Sequence, residues 1–368
     1  MENTECNTRV LDVSGICDRE NTELDRKLFE AASCLKNGGL VAFPTETVYG
    51  LGADALNDTA AKRIYKAKGR PSDNPLIVHI AEVKDVDVLA YGNDKAGILA
   101  QSFWPGPLTI ILPKRPVVPY GTTGGLDTVA IRMPSHPAAL SLIRQSGVYV
   151  ASPSANRSGR PSPTKAAHVV EDMMGRIEYI VDGGGVGIGI ESTIVDLTTD
   201  KPVILRQGFI TRKMLEDIIG DVEMDPALEH PLDGFHPKAP GMKYTHYAPK
   251  GELTLVERQD NTVTDGVDGK VVEKIKALCE VRKRQGYRVG IMAPEESVKL
   301  YDHFADVVVC VGTRQERGTI AAGLYSALRE FDTNSIDYIY AESFRGDGLS
   351  YAIMNRLLKA CGHRIIKI

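Results

Sequence analysis

Polar side chains in this chain gather in short loops that directly follow apolar stretches, the place where open α/β sheets bind ligands. Pro44-Thr45-Glu46-Thr47 sets two hydroxyls and a carboxylate beside small residues. Such a set can hold a small zwitterion such as an amino acid, or simply close a turn on its own backbone. In Lys66-Ala67-Lys68-Gly69-Arg70-Pro71, Lys68 is a point charge and Arg70 a planar fork, a pairing suited to a triphosphate. Basic residues at a helix C-terminus also complement the helix dipole with no ligand at all. Ser152-Pro153-Ser154-Ala155-Asn156, continuing to Ser162, carries more hydrogen-bonding side chains than a turn requires, with a solvated loop as the competing account. Arg132, closing an apolar strand, and Arg206, just after Leu205, are each either surface cations or anion ligands. Gly183-Gly184-Gly185 would let backbone N–H groups approach an anion. It lacks the Gly-Lys-Ser/Thr ending of a P-loop, and no Gly-x-Gly-x-x-Gly follows a strand. His79 ends a strand and reads first as a packed histidine. With no Gly-x-Ser-x-Gly elbow, covalent catalysis has little support.

Those loops need elements to hold them. Leu24, Leu28, Ala31 and Leu35 recur at helical spacing within 23–37, and Gly38-Gly39 stops that helix before an apolar strand over 40–43. Asp58 as a cap predicts a helix carrying Ala61, Ile64 and Tyr65. Strands are predicted at 76–80, 129–131, 148–151, 177–181, 193–197 and 203–205, with a helix over 138–144. This first α/β domain takes 1–224. Residues 225–250 are proline-rich and read as a linker. Over 251–368, strands at 253–256, 289–292, 307–311 and 338–341 alternate with helices over 271–284 and 319–331, the pattern of a small parallel, doubly wound sheet.

Composition narrows the function classes. At 368 residues the chain is long for one core, which favours two domains. A formal charge of -4 supplies no global basic field for nucleic acid, so no stable nucleic-acid binding is expected. The apolar runs fall far short of the roughly 20 residues a membrane helix needs. The N-terminus lacks a secretory pattern, so a cytoplasmic location is the expectation. Six scattered cysteines without a Cys-x-x-Cys pair argue against a zinc site or a disulfide framework.

In order from Gly38 to Thr193, Pro44-Thr45-Glu46-Thr47-Val48-Tyr49-Gly50, Lys68-Gly69-Arg70-Pro71, Asn74-Pro75-Leu76-Ile77-Val78-His79, Trp104-Pro105-Gly106-Pro107, Arg132-Met133-Pro134, Ser152 to Asn156 and Glu191-Ser192-Thr193 closely resemble the YrdC-like family of threonylcarbamoyl-adenylate synthases. Ala239 to Pro249 looks like the connecting segment of its two-domain members, which in those relatives lies over the catalytic cavity. The resemblance implies an N-terminal YrdC-like twisted open α/β sheet with a central cavity, plus a smaller C-terminal Rossmann-like α/β domain. It implies the joining of L-threonine, bicarbonate or CO2, and ATP into threonylcarbamoyl-AMP and pyrophosphate, the first step towards N6-threonylcarbamoyladenosine in tRNA. On it, Thr45, His79, Arg132, Ser152 and Ser192 would meet threonine. Lys68, Arg70, Thr128, Ser154, Asn156, Ser162, Arg206 and Tyr244 would meet ATP, with Lys68, Arg70, Ser154 and Asn156 carrying catalysis. Mg²⁺ would accompany the triphosphate, with no protein ligand named, and the labile product would pass to the tRNA threonylcarbamoyltransferase complex. A hydrogenase-maturation carbamoyltransferase, which contains a related domain, is the rival enzyme reading, and an RNA-binding module the rival outside enzymes.

Overall fold

The computed structural model describes residues 6–16, 22–228, 247–259 and 266–368. The chain forms two compact units: Met1–Ser158, Ser162–Gly187 and Glu191–Tyr244 make the first, and Gly159–Pro161, Ile188–Ile190 and Thr245–Ile368 the second.

The strands of the first unit are β1 (Arg9–Asp12), β2 (Val41–Phe43), β3 (Gly50–Asp54), β4 (Ile77–His79), β5 (Leu108–Pro113), β6 (Thr128–Arg132), β7 (Val150–Ala151), β8 (Tyr179–Asp182), β9 (Thr193–Asp196), β10 (Val203–Arg206) and β11 (Glu223–Met224). They form one 11-stranded sheet in the order β1-β8-β2-β3-β7-β4-β6-β5-β9-β10-β11. Burial of Leu51, Val78, Ile110, Ile131 and Val195 builds its core. Strand direction decides which strand ends meet. β4 runs parallel to β6, β5 antiparallel to β6 and parallel to β9, and β10 antiparallel to β9. The carboxyl ends of β4, β6 and β10 and the amino ends of β5 and β9 therefore share one edge of the sheet.

Helix Asp58–Lys68 shows how local sequence sets a functional side chain. Its cap is Asn57, whose Oδ1 accepts from the backbone N–H groups of Thr59 and Ala60, both at 3.1 Å. Asp58, the expected cap, is one residue inside: its Oδ1 instead accepts from Gly121 N at 3.1 Å and its other oxygen pairs with Lys62 at 2.6 Å. Ala60, Ala61, Ile64 and Tyr65 face the core. Gly69, at φ 63°, ends the helix in the left-handed region and sends its N–H back to Lys66 O, the stop that glycine makes without strain. Lys68 is thereby the last helical residue, buried at 3% exposure.

The second unit holds five parallel strands, β12 (Glu252–Glu257), β13 (Val289–Ala293), β14 (Val307–Cys310), β15 (Tyr338–Glu342) and β16 (Ile365–Lys367), ordered β14-β13-β15-β12-β16. Helices Gly269–Arg284, Arg317–Thr333 and Leu349–Ala360 alternate with them, as parallel crossovers demand. The last helix and β16 extend the unit beyond the strands and helices that periodicity picks out. At the carboxyl end of β15, Glu342 is buried and accepts from Arg314 at 2.7 Å and Tyr301 OH at 2.8 Å.

Candidate functional site

Arg132 ends β6 beside His79, its register partner on β4, and is 4% exposed. Its Nη1 donates to Thr47 Oγ1 at 2.9 Å and its Nε to Gly106 O at 3.3 Å. Its Nη2 stands 2.7 Å from Glu46 Oε1. That last contact is an ion pair by distance but not an aligned hydrogen bond: Arg132 Nη2 and both Glu46 carboxylate oxygens are buried without a hydrogen-bond partner among the described residues. Buried polar atoms are almost always satisfied, so these groups face one another in an arrangement suited to receiving something else.

Thr45 does the plainer job. Its hydroxyl donates to Val48 O at 2.6 Å and accepts from Thr47 N and Val48 N at 3.2 and 3.3 Å, closing the turn that aims Glu46 and Thr47. Thr47 is the hydroxyl on Arg132, and the sequence signal for it was the same Pro-Thr-Glu-Thr run. His79 is buried and packs edge-on against Phe43 with centroids 6.1 Å apart. Burial and then the Arg132 charge push its pKa down to about 3, so the imidazole is neutral at ordinary pH. It is thus both a packed histidine and a neighbour of the arginine.

The loop after β7 joins this end to a second cluster. Ser152 N donates to Ile77 O, and Ser152 Oγ lies where a side chain at Gly50 would be, 2.3 Å from an ideal Cβ there. Leu51 N donates to Pro153 O and Ala155 N to Tyr49 O, both at 2.8 Å. This places Ser154 and Asn156 against the end of helix Asp58–Lys68. Lys68 Nζ donates to the carbonyl of Ser154 and, at 2.5 Å, to that of Asn156. Ser154 Oγ donates to Asn156 Oδ1 at 2.6 Å. Arg70, one residue past the helix stop, reaches Pro75 O at 3.2 Å, just before β4.

Ser192 and Arg206 meet at the shared edge: Arg206 Nη2 donates to Ser192 Oγ at 3.1 Å and its Nε to Ser192 O at 3.0 Å. Ser192 Oγ is 2.8 Å from Thr109 Oγ1 on β5. Ser162 Oγ donates to buried Glu191 at 2.7 Å. Thr128 is separated from that edge. It begins β6 opposite Pro113, four residues and about 13 Å of strand from Arg132. Tyr244 lies outside the described residues, as does most of the linker segment. The Gly183-Gly184-Gly185 amides are not all open to an anion: Gly183 N donates to Tyr49 OH at 3.1 Å and Gly184 N to Asp182 Oδ1 at 2.9 Å. Residue types alone did not single out Asn74, whose buried side-chain amide has no hydrogen-bond partner among the described residues.

Lys68, Arg132 and Arg206 are all at 6% exposure or less. Taking a cation out of water costs several kcal/mol, so three buried cations, two at strand ends and one at a helix end, mark a candidate functional site. Chemically, the arginine end offers a fork, a carboxylate and hydroxyls. The Lys68 end offers an anchored ammonium beside Ser154 and Asn156.

Residues 33–208 match the family model described as telomere recombination, and 210–362 the model described as the threonylcarbamoyl-AMP synthase C-terminal domain. A Bacillus subtilis protein named threonylcarbamoyl-AMP synthase is 50% identical over 345 residues, 93% of this chain and 95% of its own. A Schizosaccharomyces pombe protein of the same name is 38% identical, covering 92% of this chain and 89% of its own. The crystal structure of a Pyrococcus abyssi relative complexed with L-threonine superposes with a TM-score of 0.88 at 48% identity, covering 98% of this chain and 99% of that one.

Proposed function

The chain belongs to the threonylcarbamoyl-AMP synthase family, and from that membership we propose that it joins L-threonine, bicarbonate or CO2, and ATP into threonylcarbamoyl-AMP, releasing pyrophosphate. The observation that carries the reading is the loop Ser152 to Asn156, which shares backbone hydrogen bonds with the segment behind the Arg132 cluster and holds Lys68 at its far end. One loop thus serves an amino-acid end and a phosphate end.

The reaction needs no enzyme nucleophile. Threonine's amine forms a carbamate, and a carbamate oxygen attacks the α-phosphorus as pyrophosphate leaves. The site's contribution is positioning and charge neutralisation. In this reading Arg132 takes the threonine carboxylate as a fork, with Thr45 setting the turn and His79, Ser152 and Ser192 around it. Lys68, Arg70, Ser154 and Asn156 meet the phosphates, with Arg206, Ser162, Thr128 and Tyr244 on the remainder of ATP. Thr128, at the other end of β6, would touch a part of the nucleotide remote from the carboxylate. Mg²⁺ would travel with the triphosphate. Among the described residues no group of three His, Cys, Asp or Glu side chains could hold it, so phosphate oxygens and water would be its ligands. The product, a reactive mixed anhydride, would be handed to the transferase that modifies tRNA. Among the described residues no helix is long and apolar enough to cross a membrane.

Mass spectrometry of protein with ATP, Mg²⁺, bicarbonate and threonine tests this, with serine as control. A threonine-dependent species at the acyl-adenylate mass is expected. Its absence, or equal yield with serine, would overturn the reading.

A further inference from the structure

Making the carbamate requires threonine's ammonium to lose a proton, and neither Lys68 nor the arginines can accept one. Glu46 can. Its side chain is 14% exposed, yet among the described residues neither carboxylate oxygen has a hydrogen-bond partner. A buried carboxylate in that condition costs free energy unless something donates to it. Its neighbour is Arg132 Nη2 at 2.7 Å, also without an aligned acceptor. His79 is less free to act as the acceptor, because its Nδ1 lies 3.2 Å from Ile77 O and its ring packs edge-on against Phe43. The Thr45 hydroxyl is committed to the Val48 carbonyl.

We infer that Glu46 receives threonine's ammonium and is the proton acceptor that frees the amine for carbamate formation. The inference rests on the reading of Arg132 as the carboxylate partner. Threonine's carboxylate, aligned on the arginine, would displace the poorly aligned Glu46 contact. Within one amino acid the amine nitrogen stays roughly 3 Å from the carboxylate oxygens, so a carboxylate on Arg132 puts the ammonium within reach of Glu46. Glu46 takes one N–H proton and becomes the neutral acid. The amine lone pair then forms the N–C bond to bicarbonate. The C–OH bond breaks, and the hydroxyl leaves as water with a second amine proton. Glu46 returns its proton to solvent, so one threonine ammonium and one bicarbonate give carbamate, water and a proton.

The test is kcat/KM for threonine from pH 6.5 to 9.5 in wild type, Glu46→Gln and Glu46→Asp, with threonine binding measured by calorimetry. General-base catalysis is worth about 10²- to 10⁴-fold, so Glu46→Gln should fall at least about a hundredfold at pH 7. Its deficit should shrink by about tenfold per pH unit, because only solution-deprotonated threonine can then react. Glu46→Asp, which keeps a carboxylate, should be slower than wild type with the wild-type pH profile. A Glu46→Gln profile parallel to wild type, or equal activity, would overturn the inference. If Glu46→Gln does not fold, a Glu46→Asp profile rising with pH as described for a missing base would overturn it. Should wild type itself make no threonine-dependent adenylate, the functional reading fails instead, which separates the two.

Discussion

Replacing Arg132 with lysine keeps one positive charge and removes the fork. The guanidinium now spans three directions, to Thr47 Oγ1 at 2.9 Å, Gly106 O at 3.3 Å and Glu46 Oε1 at 2.7 Å. A single ammonium on a flexible stem cannot reproduce that spread, nor present two parallel N–H groups to a carboxylate. Losing one charge-assisted hydrogen bond to threonine costs about 1.5 to 3 kcal/mol, which weakens binding by about ten- to a hundredfold. The nucleotide end stays within about threefold in ATP affinity, because Lys68 is anchored through Ser154 and Asn156 rather than through Arg132. Arg132→Lys should destabilise less than Arg132→Met, since Glu46 keeps a cation beside it. Arg132→Met removes that cation and strands a buried carboxylate, at a cost of about 3 to 5 kcal/mol. Calorimetric titration with threonine and with ATP, alongside thermal melts of both variants, reads all of these quantities. Arg132→Lys binding threonine within twofold of wild type would refute the fork, and Arg132→Met melting with Arg132→Lys would refute the charge balance.

Lys68→Ala should lower turnover by about ten- to a hundredfold or more by removing a charged hydrogen-bond donor, and steady-state kinetics at saturating threonine would show it; wild-type turnover would remove Lys68 from the mechanism. His79, neutral when folded with a pKa near 3, takes up a proton only on unfolding between that value and about 6.5. Its contribution is therefore intact above about pH 6.5 and lost as pH falls, by up to about 1.4 kcal/mol per unit. Against wild type, His79→Gln should show a flatter decline in denaturant-derived stability from pH 7 to 4.5, and an unchanged slope would contradict the burial argument. In the second unit, Arg314→Met should cost about 3 to 5 kcal/mol by leaving Glu342, 1% exposed, without its cation. A chemical-denaturation midpoint equal to wild type would contradict that.

Much of the framework was legible in the sequence, because helix and strand periods are local properties of the chain. Leu24, Leu28, Ala31 and Leu35 do face the core of helix Thr22–Lys36, and the parallel alternation after residue 251 does form a parallel sheet. Lys68, Ser154 and Asn156 could be singled out by type and motif order. Their junction could not be seen, since it depends on a loop 86 residues away in sequence returning to a helix end. The Asp58 expectation failed for a similar reason: Asn57 and Asp58 are both good caps by type, and the distant Gly121 amide claims the second.

By itself, then, the order of residues settled which side chains were available for chemistry and which short segments would be strands, helices or turns. Only the folded chain chose between the hydroxyls of Thr45 and Thr47, occupied the Gly183 and Gly184 amides, and set Glu46 against Arg132. The physical reason is sheet direction. Arg132, Gly106, Ser192 and Arg206 share an edge because β5 runs against β6 and β10 runs against β9. Pairing direction is settled by burial and register across the whole core, and no window of local sequence contains it.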